Sequence, residues 1–280
     1  MTALDIAHLK SWEGRSERIS GDLSPWLVAA YAATLDLPER DLRPGAPAPQ
    51  GLHWCLAPVT APTSKLGEDG HPARGGFLPP VPLPRRMWAG GRVRFHDELR
   101  IGEPIERVST VKSVELKEGR TGRLVFVLVE HRLTTPRGLA VVEEHDIVYR
   151  GVEAPAVRPT GQTKAAEPAD VARSVDPSGP LLFRYSALTF NSHRIHYDRK
   201  YVTEVEGYPG LIVHGPLQAT LLILLGGDLK GAPLESFAFR AVKPLFDLAP
   251  FTISGRRSDA GLSLWAADAA GERTMQAEGR

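Results

Sequence analysis

Between Asn191 and Asp198 the chain reads Asn-Ser-His-Arg-Ile-His-Tyr-Asp. Two imidazoles, a carboxamide, a guanidinium and a carboxylate crowd into eight residues. An imidazole with an ordinary pKa near 6.5 can take and return a proton at neutral pH. A carboxamide can hold a water molecule but cannot act as its base. The residue types therefore point to proton transfer at His196, with Asn191 five positions earlier as the water-holding group. Asp198 can cap a short helix over about 199–206, which sets His196 on a fixed turn just before a helix start.

A second group stands at Val213-His214-Gly215-Pro216. Pro216 near the first turn and Gly226-Gly227 past the end punctuate an apolar helix over 217–225. The first N–H groups of a helix have no partner within it and carry partial positive charge. Gly215 offers such an N–H with no side chain to block approach. A carbonyl oxygen resting there is stabilised as it gains negative charge. Ordinary readings stand beside these. His196 can cap a helix, Asn191 can close a turn on its own backbone, and His193 can sit at the surface. His214 can simply pack beside the helix start. Asp198 reads as a cap before it reads as an acid. Arg85 and Arg86 can be a solvated pair, and Trp54 and Trp88 can be core anchors or line a pocket.

Two sets of elements must position these groups. Ser24-Pro25 opens a predicted helix over about 24–36, with Trp26, Leu27, Ala30, Ala33 and Leu37 at helical spacing. Residues 38–86 are dense in Pro and Gly and read as a long irregular passage of the kind that often carries function. Strands are predicted over 92–96, 105–116, 122–134 and 139–150, with turns at 120–122 and 136–138. Residues 151–180 carry Pro, Ala, Ser and Thr with no apolar period and read as a surface linker. After the apolar helix, strands are predicted over about 235–243, 249–258, 261–269 and 272–279. Each half is thus a helix followed by long antiparallel strands. The expected class is α+β, a double hot-dog fold in which each helix is wrapped by a curved sheet. Its expected modules are 1–150 and 181–280. Two unrelated α+β domains fit the same pattern.

At 280 residues the chain is long enough for two cores. Its net charge of +1, from 34 basic and 33 acidic residues, argues against nucleic acid as the main partner. One cysteine, Cys55, makes neither an internal disulfide nor a cysteine-rich zinc site, which suits a reducing cytoplasm. The first ten residues lack the basic start and apolar run of a signal peptide, and no apolar run approaches the roughly 20 residues needed to span a bilayer. The spacing of His193, His196 and His214 matches no zinc motif, so no metal is expected. No Gly-x-Gly-x-x-Gly follows a strand, so a dinucleotide fold is not supported.

Residues 183–225, with Asn191, Ile195-His196 and Gly215-Pro216, resemble the MaoC-like, R-specific enoyl-CoA hydratase family. The segments at 83–91 and 237–246 resemble its two-module branch, which hydrates dicarboxylyl thioesters such as mesaconyl-C4-CoA and itaconyl-CoA. The resemblance implies reversible addition of water to the 2,3-double bond of an enoyl-CoA. His196 falls on the family's catalytic histidine, and Gly215 on the residue whose N–H meets the thioester oxygen. Asn191 falls on a catalytic aspartate, a departure that keeps the hydrogen-bonding shape and loses the charge. Arg194 replaces a proline of the family pattern. Arg85, Arg86 and Arg194 become candidates for a substrate carboxylate, Trp88 and His214 for the acyl pocket, and Arg240 and Lys243 for the phosphates of coenzyme A. No cofactor is implied beyond the CoA of the substrate, and a homodimer is allowed. A dehydratase of fatty-acid or polyketide type, a hot-dog thioesterase and a non-catalytic acyl-CoA-binding module remain as alternatives. The thioesterase needs a carboxylate on or near the central helix, where only Asp228 lies close, just past the apolar segment.

Overall fold

The computed structural model describes residues 4–119, 122–151 and 168–280. Its elements run α1 (Ile6–Lys10), β1 (Ser16–Asp22), α2 (Pro25–Thr34), β2 (Arg85–Phe95), β3 (Pro104–Gly119), β4 (Gly122–Thr135) and β5 (Gly138–Arg150). Then come β6 (Val171–Val175), α3 (Gly179–Leu188), α4 (Arg199–Glu204), α5 (Gly215–Lys230), β7 (Ser236–Ala241), β8 (Phe251–Ser258), β9 (Gly261–Ala267) and β10 (Arg273–Gly279). The strands form one sheet in the order β1-β3-β4-β5-β2-β7-β10-β9-β8-β6, every pairing antiparallel. Among the described residues no helix is long and apolar enough to cross a membrane.

The two halves join where β2 pairs with β7, with Gly90 opposite Arg240 and Gly91 opposite Phe239. A Cβ on Gly90 would lie 2.6 Å from the Phe239 carbonyl oxygen, and one on Gly91 2.9 Å from the Phe239 ring. The Gly-Gly pair is therefore what lets the halves approach closely enough to share one sheet. The predicted start of β2 at 92 falls late, because residues 85–88 already pair with 147–150 of β5. A register shift between Trp88 and Gly90 hides this extension from a period-two pattern.

Helix α5 packs on β7 to β10, with Leu217, Ala219, Leu222, Ile223 and Leu225 buried. It runs through Gly226-Gly227, where the sequence predicts its end, and stops at Gly231 in the left-handed region at φ +78°. Gly226 instead allows close packing, since a Cβ there would lie 3.0 Å from Leu264 and 3.1 Å from Leu234. In the first half, α2 starts as expected, with the Ser24 side chain accepting from the Leu27 N–H at 3.1 Å. It is shorter than α5 and packs on α3 as well as on sheet residues through Val28 and Tyr31.

Two strands escape the sequence reading because both are polar strands at the ends of the sheet, where hydrophobic alternation is weakest. These are β1, Ser-Glu-Arg-Ile-Ser-Gly-Asp, and β6, Val-Ala-Arg-Ser-Val. β6 and the start of α3 lie inside the 151–180 stretch expected to be linker, and β6 pairs with β8. Residues 152–167 of that linker, and 120–121 of the predicted 120–122 turn, lie outside the described residues.

Candidate active site

The motif lies between α3 and α4. Phe190, in the left-handed region at φ +50°, turns the chain out of α3. The Asn191 Oδ1 then accepts from the His193 N–H at 3.0 Å, an Asx turn that leads into a 3-10 turn over Arg194–His196. Asp198 caps α4 by accepting from the Tyr201 N–H at 3.0 Å. His196 is thus gripped by ordered backbone on both sides.

A single contact sets the chemistry of His196. Its Nδ1 lies 2.7 Å from the Ile212 carbonyl oxygen. A carbonyl can only accept, so Nδ1 carries the proton and Nε2 keeps a lone pair. Burial pushes the imidazole down to about 4 against the opposing pull of the Ile212 carbonyl, so His196 is a neutral base at physiological pH. Its ring stacks on that of His214 at 3.7 Å. His214 is fully buried, with Nε2 2.8 Å from the Ser186 hydroxyl.

Ile212 leads directly into the N-terminus of α5. Gly215 is its first residue, and its N–H has no partner in the helix. A Cβ on Gly215 would lie 2.9 Å from the Trp88 ring. Trp88, partly buried, also meets Phe239 at 4.7 Å, Trp54 at 5.3 Å and His145 at 5.5 Å, forming an aromatic wall. His196, Asn191, Gly215, His214, Trp88, Arg85 and Arg86 all line one cavity of about 1520 Å³. An unsaturated carbonyl compound placed there would meet a base at His196 and an oxyanion donor at Gly215.

The remaining cations divide sharply. Arg194 turns away from the cavity. It donates to Asp198 at 2.8 and 3.0 Å, donates to the Glu68 carbonyl at 3.1 Å and lies over the Tyr201 ring at 4.1 Å. Its i,i+4 pairing with Asp198 on the turn takes up the guanidinium. Arg85 donates to the Glu206 carbonyl at 3.0 Å, faces the Glu206 carboxylate at 3.6 Å and lies over Tyr208. Arg86 sits beside the Tyr149 phenol and faces His71, His145 and His193. Among the described residues no carboxylate pairs with it. Lys243 lines the cavity but is held by Asp268 at 2.6 Å. Arg240 is exposed on β7 between the buried Phe239 and the half-buried Ala241 and does not line the cavity, because strand alternation points it the other way. Asp228 pairs with Arg173 on the surface and is likewise no part of the cavity.

Sequence reasoning misses two groups. The first is Asp69-Gly70-His71, from the irregular passage of the first half. His71 Nδ1 lies 3.0 Å from Asp69 Oδ2, and the His71 and His193 rings are 3.9 Å apart. The second is a polar set on the first-half sheet, with the buried Glu143 and the half-buried Glu17, Arg107, His131 and His145 lining the same cavity. Burial pushes Glu143 up to about 7, against a 3.0 Å hydrogen bond from Trp54 Nε1 and the charge of Arg107. The Pro/Gly density of 38–86 was the only available signal for the first group. Polar residues at buried strand positions could have signalled the second.

A family model described as hydroxyacyl-thioester dehydratase type 2 matches residues 51–247. The mesaconyl-C(4)-CoA hydratase of Chloroflexus aurantiacus is 46% identical over 253 residues, covering 90% of each chain. The mitochondrial hydroxyacyl-thioester dehydratase type 2 of Schizosaccharomyces pombe is 26% identical over 246 residues, covering 79% of each. Among solved structures, a MaoC-like dehydratase aligns at a TM-score of 0.69 with 15% identity, covering 97% of this chain and 98% of its own. A Mycobacterium tuberculosis protein with a double hot-dog fold aligns at 0.58 with 14% identity, covering 95% of both. The fold is therefore the double hot dog expected from the element pattern, and the chain belongs to the hydroxyacyl-thioester dehydratase type 2 family.

Proposed function

We propose that this protein is a hydro-lyase that adds water reversibly to the 2,3-double bond of an enoyl-CoA thioester. Its acyl group is a short C4 or C5 dicarboxylyl unit such as mesaconyl-C4. The observation that carries the reading is one cavity lined by both His196, whose Nε2 keeps its lone pair, and Gly215, whose N–H opens α5. The 46% identity to a mesaconyl-C(4)-CoA hydratase supports the substrate class.

In this reading the thioester oxygen rests on the Gly215 N–H, which stabilises negative charge as the double bond is attacked. His196 Nε2 removes a proton from water as the new C–O bond forms, then returns it to the carbon next to the thioester. Asn191 has one lone pair committed to the His193 N–H, so it orients the water through its amide and cannot supply charge. Trp88 and His214 shape the acyl pocket. Arg86 meets the free carboxylate, because Arg85 and Arg194 already have carboxylate partners. Modules at 1–150 and 181–280 both contribute residues to the site.

Incubation with mesaconyl-C4-CoA, itaconyl-CoA and crotonyl-CoA, followed by loss of the enoyl-thioester absorbance, tests the activity. Release of free CoA without hydration would point to a thioesterase instead. No change with any of the three would leave a binding module.

A further inference from the structure

Asn191 carries no charge, and the structure brings a carboxylate, Asp69, close to the motif from the other half of the chain. The Asp69-Gly70-His71 loop is docked on the motif by backbone contacts. The Asp69 carbonyl accepts from the Arg194 N–H at 2.9 Å, and the Ser192 hydroxyl donates to the Gly70 carbonyl at 2.6 Å. Arg194 Nη1 adds a bond to the Glu68 carbonyl at 3.1 Å. This docking places His71 against His193, and His193 stands edge-on to His196 with ring centroids 5.5 Å apart.

Asp69, His71 and His193 could hold a metal by composition, since their ligand atoms lie within 4.8 Å of one another. The hydrogen bonds argue otherwise. Asp69 Oδ1 accepts from the His71 N–H at 2.9 Å, and Oδ2 faces the His71 Nδ1 at 3.0 Å. Both carboxylate oxygens are engaged by His71, which commits Asp69 to orienting that ring. A carboxylate facing Nδ1 keeps the proton on that nitrogen and leaves Nε2 as an acceptor.

We propose that His71, oriented by Asp69, is a second catalytic residue of this site, its Nε2 accepting the hydrogen of the attacking water that His196 does not remove. This rests on the hydratase reading. One water hydrogen goes to His196 Nε2 and from there to the carbon beside the thioester. The oxygen bonds the far alkene carbon, whose π electrons move toward the thioester. The hydrogen held by His71 stays on the product hydroxyl. Asp69 acts through His71 as a positioning residue. The charged and titratable groups facing His71 are Asp69, Arg74, Arg86, His193 and His196. Burial, with the charges of Arg86 and Arg74, outweighs Asp69 and takes His71 down to about 4, which keeps it neutral and able to accept.

The experiment compares His71→Gln, His71→Phe and Asp69→Asn with the unaltered protein on mesaconyl-C4-CoA. Binding of a saturated acyl-CoA serves as a check on the pocket. Glutamine retains an acceptor near the Nε2 position and phenylalanine retains only the bulk. The Phe variant should lose about 100-fold in kcat, while the Gln variant stays within about tenfold. Asp69→Asn should fall between them, and KM and analogue affinity should change little. A purely structural role predicts the Phe variant to equal or exceed the Gln variant, and that result overturns the proposal. Loss of the unaltered protein's activity on chelation, restored by zinc, also overturns it in favour of a metal. If the unaltered protein hydrates none of the substrates, the function itself falls and the proposal with it. An active parent with an equally active Phe variant removes only the proposal.

Discussion

Gly70 and Ser192 interlock across the two halves of the chain. Gly70 has φ +85°, and a Cβ there would land on the Ser192 carbonyl oxygen and lie 2.9 Å from the carbonyl carbon. Glycine is required twice over, by its backbone conformation and by the lack of space. Gly70→Ala should lift the loop from the motif and lower kcat/KM by at least about tenfold, since small displacements of positioned groups are costly. Steady-state kinetics alongside a melting curve would check this. Unchanged kinetics would mean that the docking does not position the site.

His196→Ala should cost about 100-fold to 10,000-fold in turnover, with the circular dichroism spectrum retained. Because the folded imidazole stays neutral down to about pH 4, kcat should be level between pH 5.5 and 8. A rise in kcat with a midpoint near 6.5 that persists in Glu143→Gln, which removes the other cavity group titrating near 7, would mean that His196 titrates as an ordinary exposed histidine.

Gly215→Ala inserts a methyl 2.9 Å from the Trp88 ring, into the approach to the helix N-terminus. Trp88 must shift, and the path of the carbonyl oxygen to the N–H is obstructed. A loss of about tenfold or more in kcat/KM is expected, in line with weakening an oxyanion donor. Kinetics on crotonyl-CoA, whose acyl group has no second carboxylate, isolate this effect from carboxylate recognition.

Arg86→Met should discriminate between substrates. A charge-assisted bond to a carboxylate contributes about 1.5–3 kcal/mol, so kcat/KM on mesaconyl-C4-CoA should fall about 10-fold to 100-fold. Activity on crotonyl-CoA should be nearly unchanged. Equal losses on both substrates would assign Arg86 to the integrity of the pocket and not to the carboxylate.

Buried neutral histidines make the fold acid-sensitive. Burial takes His53 to about 3 and, with the charges of Arg107 and His53, takes His131 to about 3, from 6.5 in the unfolded chain. Below pH 6.5 the unfolded state binds protons that the folded state refuses. Stability therefore falls as the pH drops from 6.5 toward 3, by up to about 1.4 kcal/mol per unit for each group. Glu143 has the opposite sign, since its contribution is present below about 4.5 and is lost as the pH rises through about 7. Asparagine at 131 can keep a hydrogen bond to Ser109, which lies 2.8 Å from His131 Nδ1. Urea unfolding at pH 6.5 and 5.5 should show that His131→Asn loses about 1 kcal/mol less than the parent over this step. Equal losses in the two proteins would remove His131 from the acid transition.

The sequence by itself determined the elements with strong local signals. Ser24-Pro25 starts α2, Gly215-Pro216 starts α5, and the Val- and Leu-rich runs become β3, β4 and β5, because capping and side-chain periodicity act within a few residues. It also determined that His196 and Gly215 could serve one site, since a separation of 19 positions holding a turn and a short helix can bring a base to a helix start. Tertiary structure decided what depends on partners far along the chain. The tautomer of His196 is set by the Ile212 carbonyl, and Arg194 is taken out of the site by Asp198 and the Glu68 carbonyl. The end of α5 falls at Gly231 in the left-handed region, while Gly226, where the sequence suggests the end, packs against Leu234 and Leu264 instead. The Asp69–His71 pair reaches the motif across more than 120 residues, in a passage with no periodicity to read. Its position comes from backbone hydrogen bonds and from the room left by one glycine, and these exist only once the two halves share a sheet.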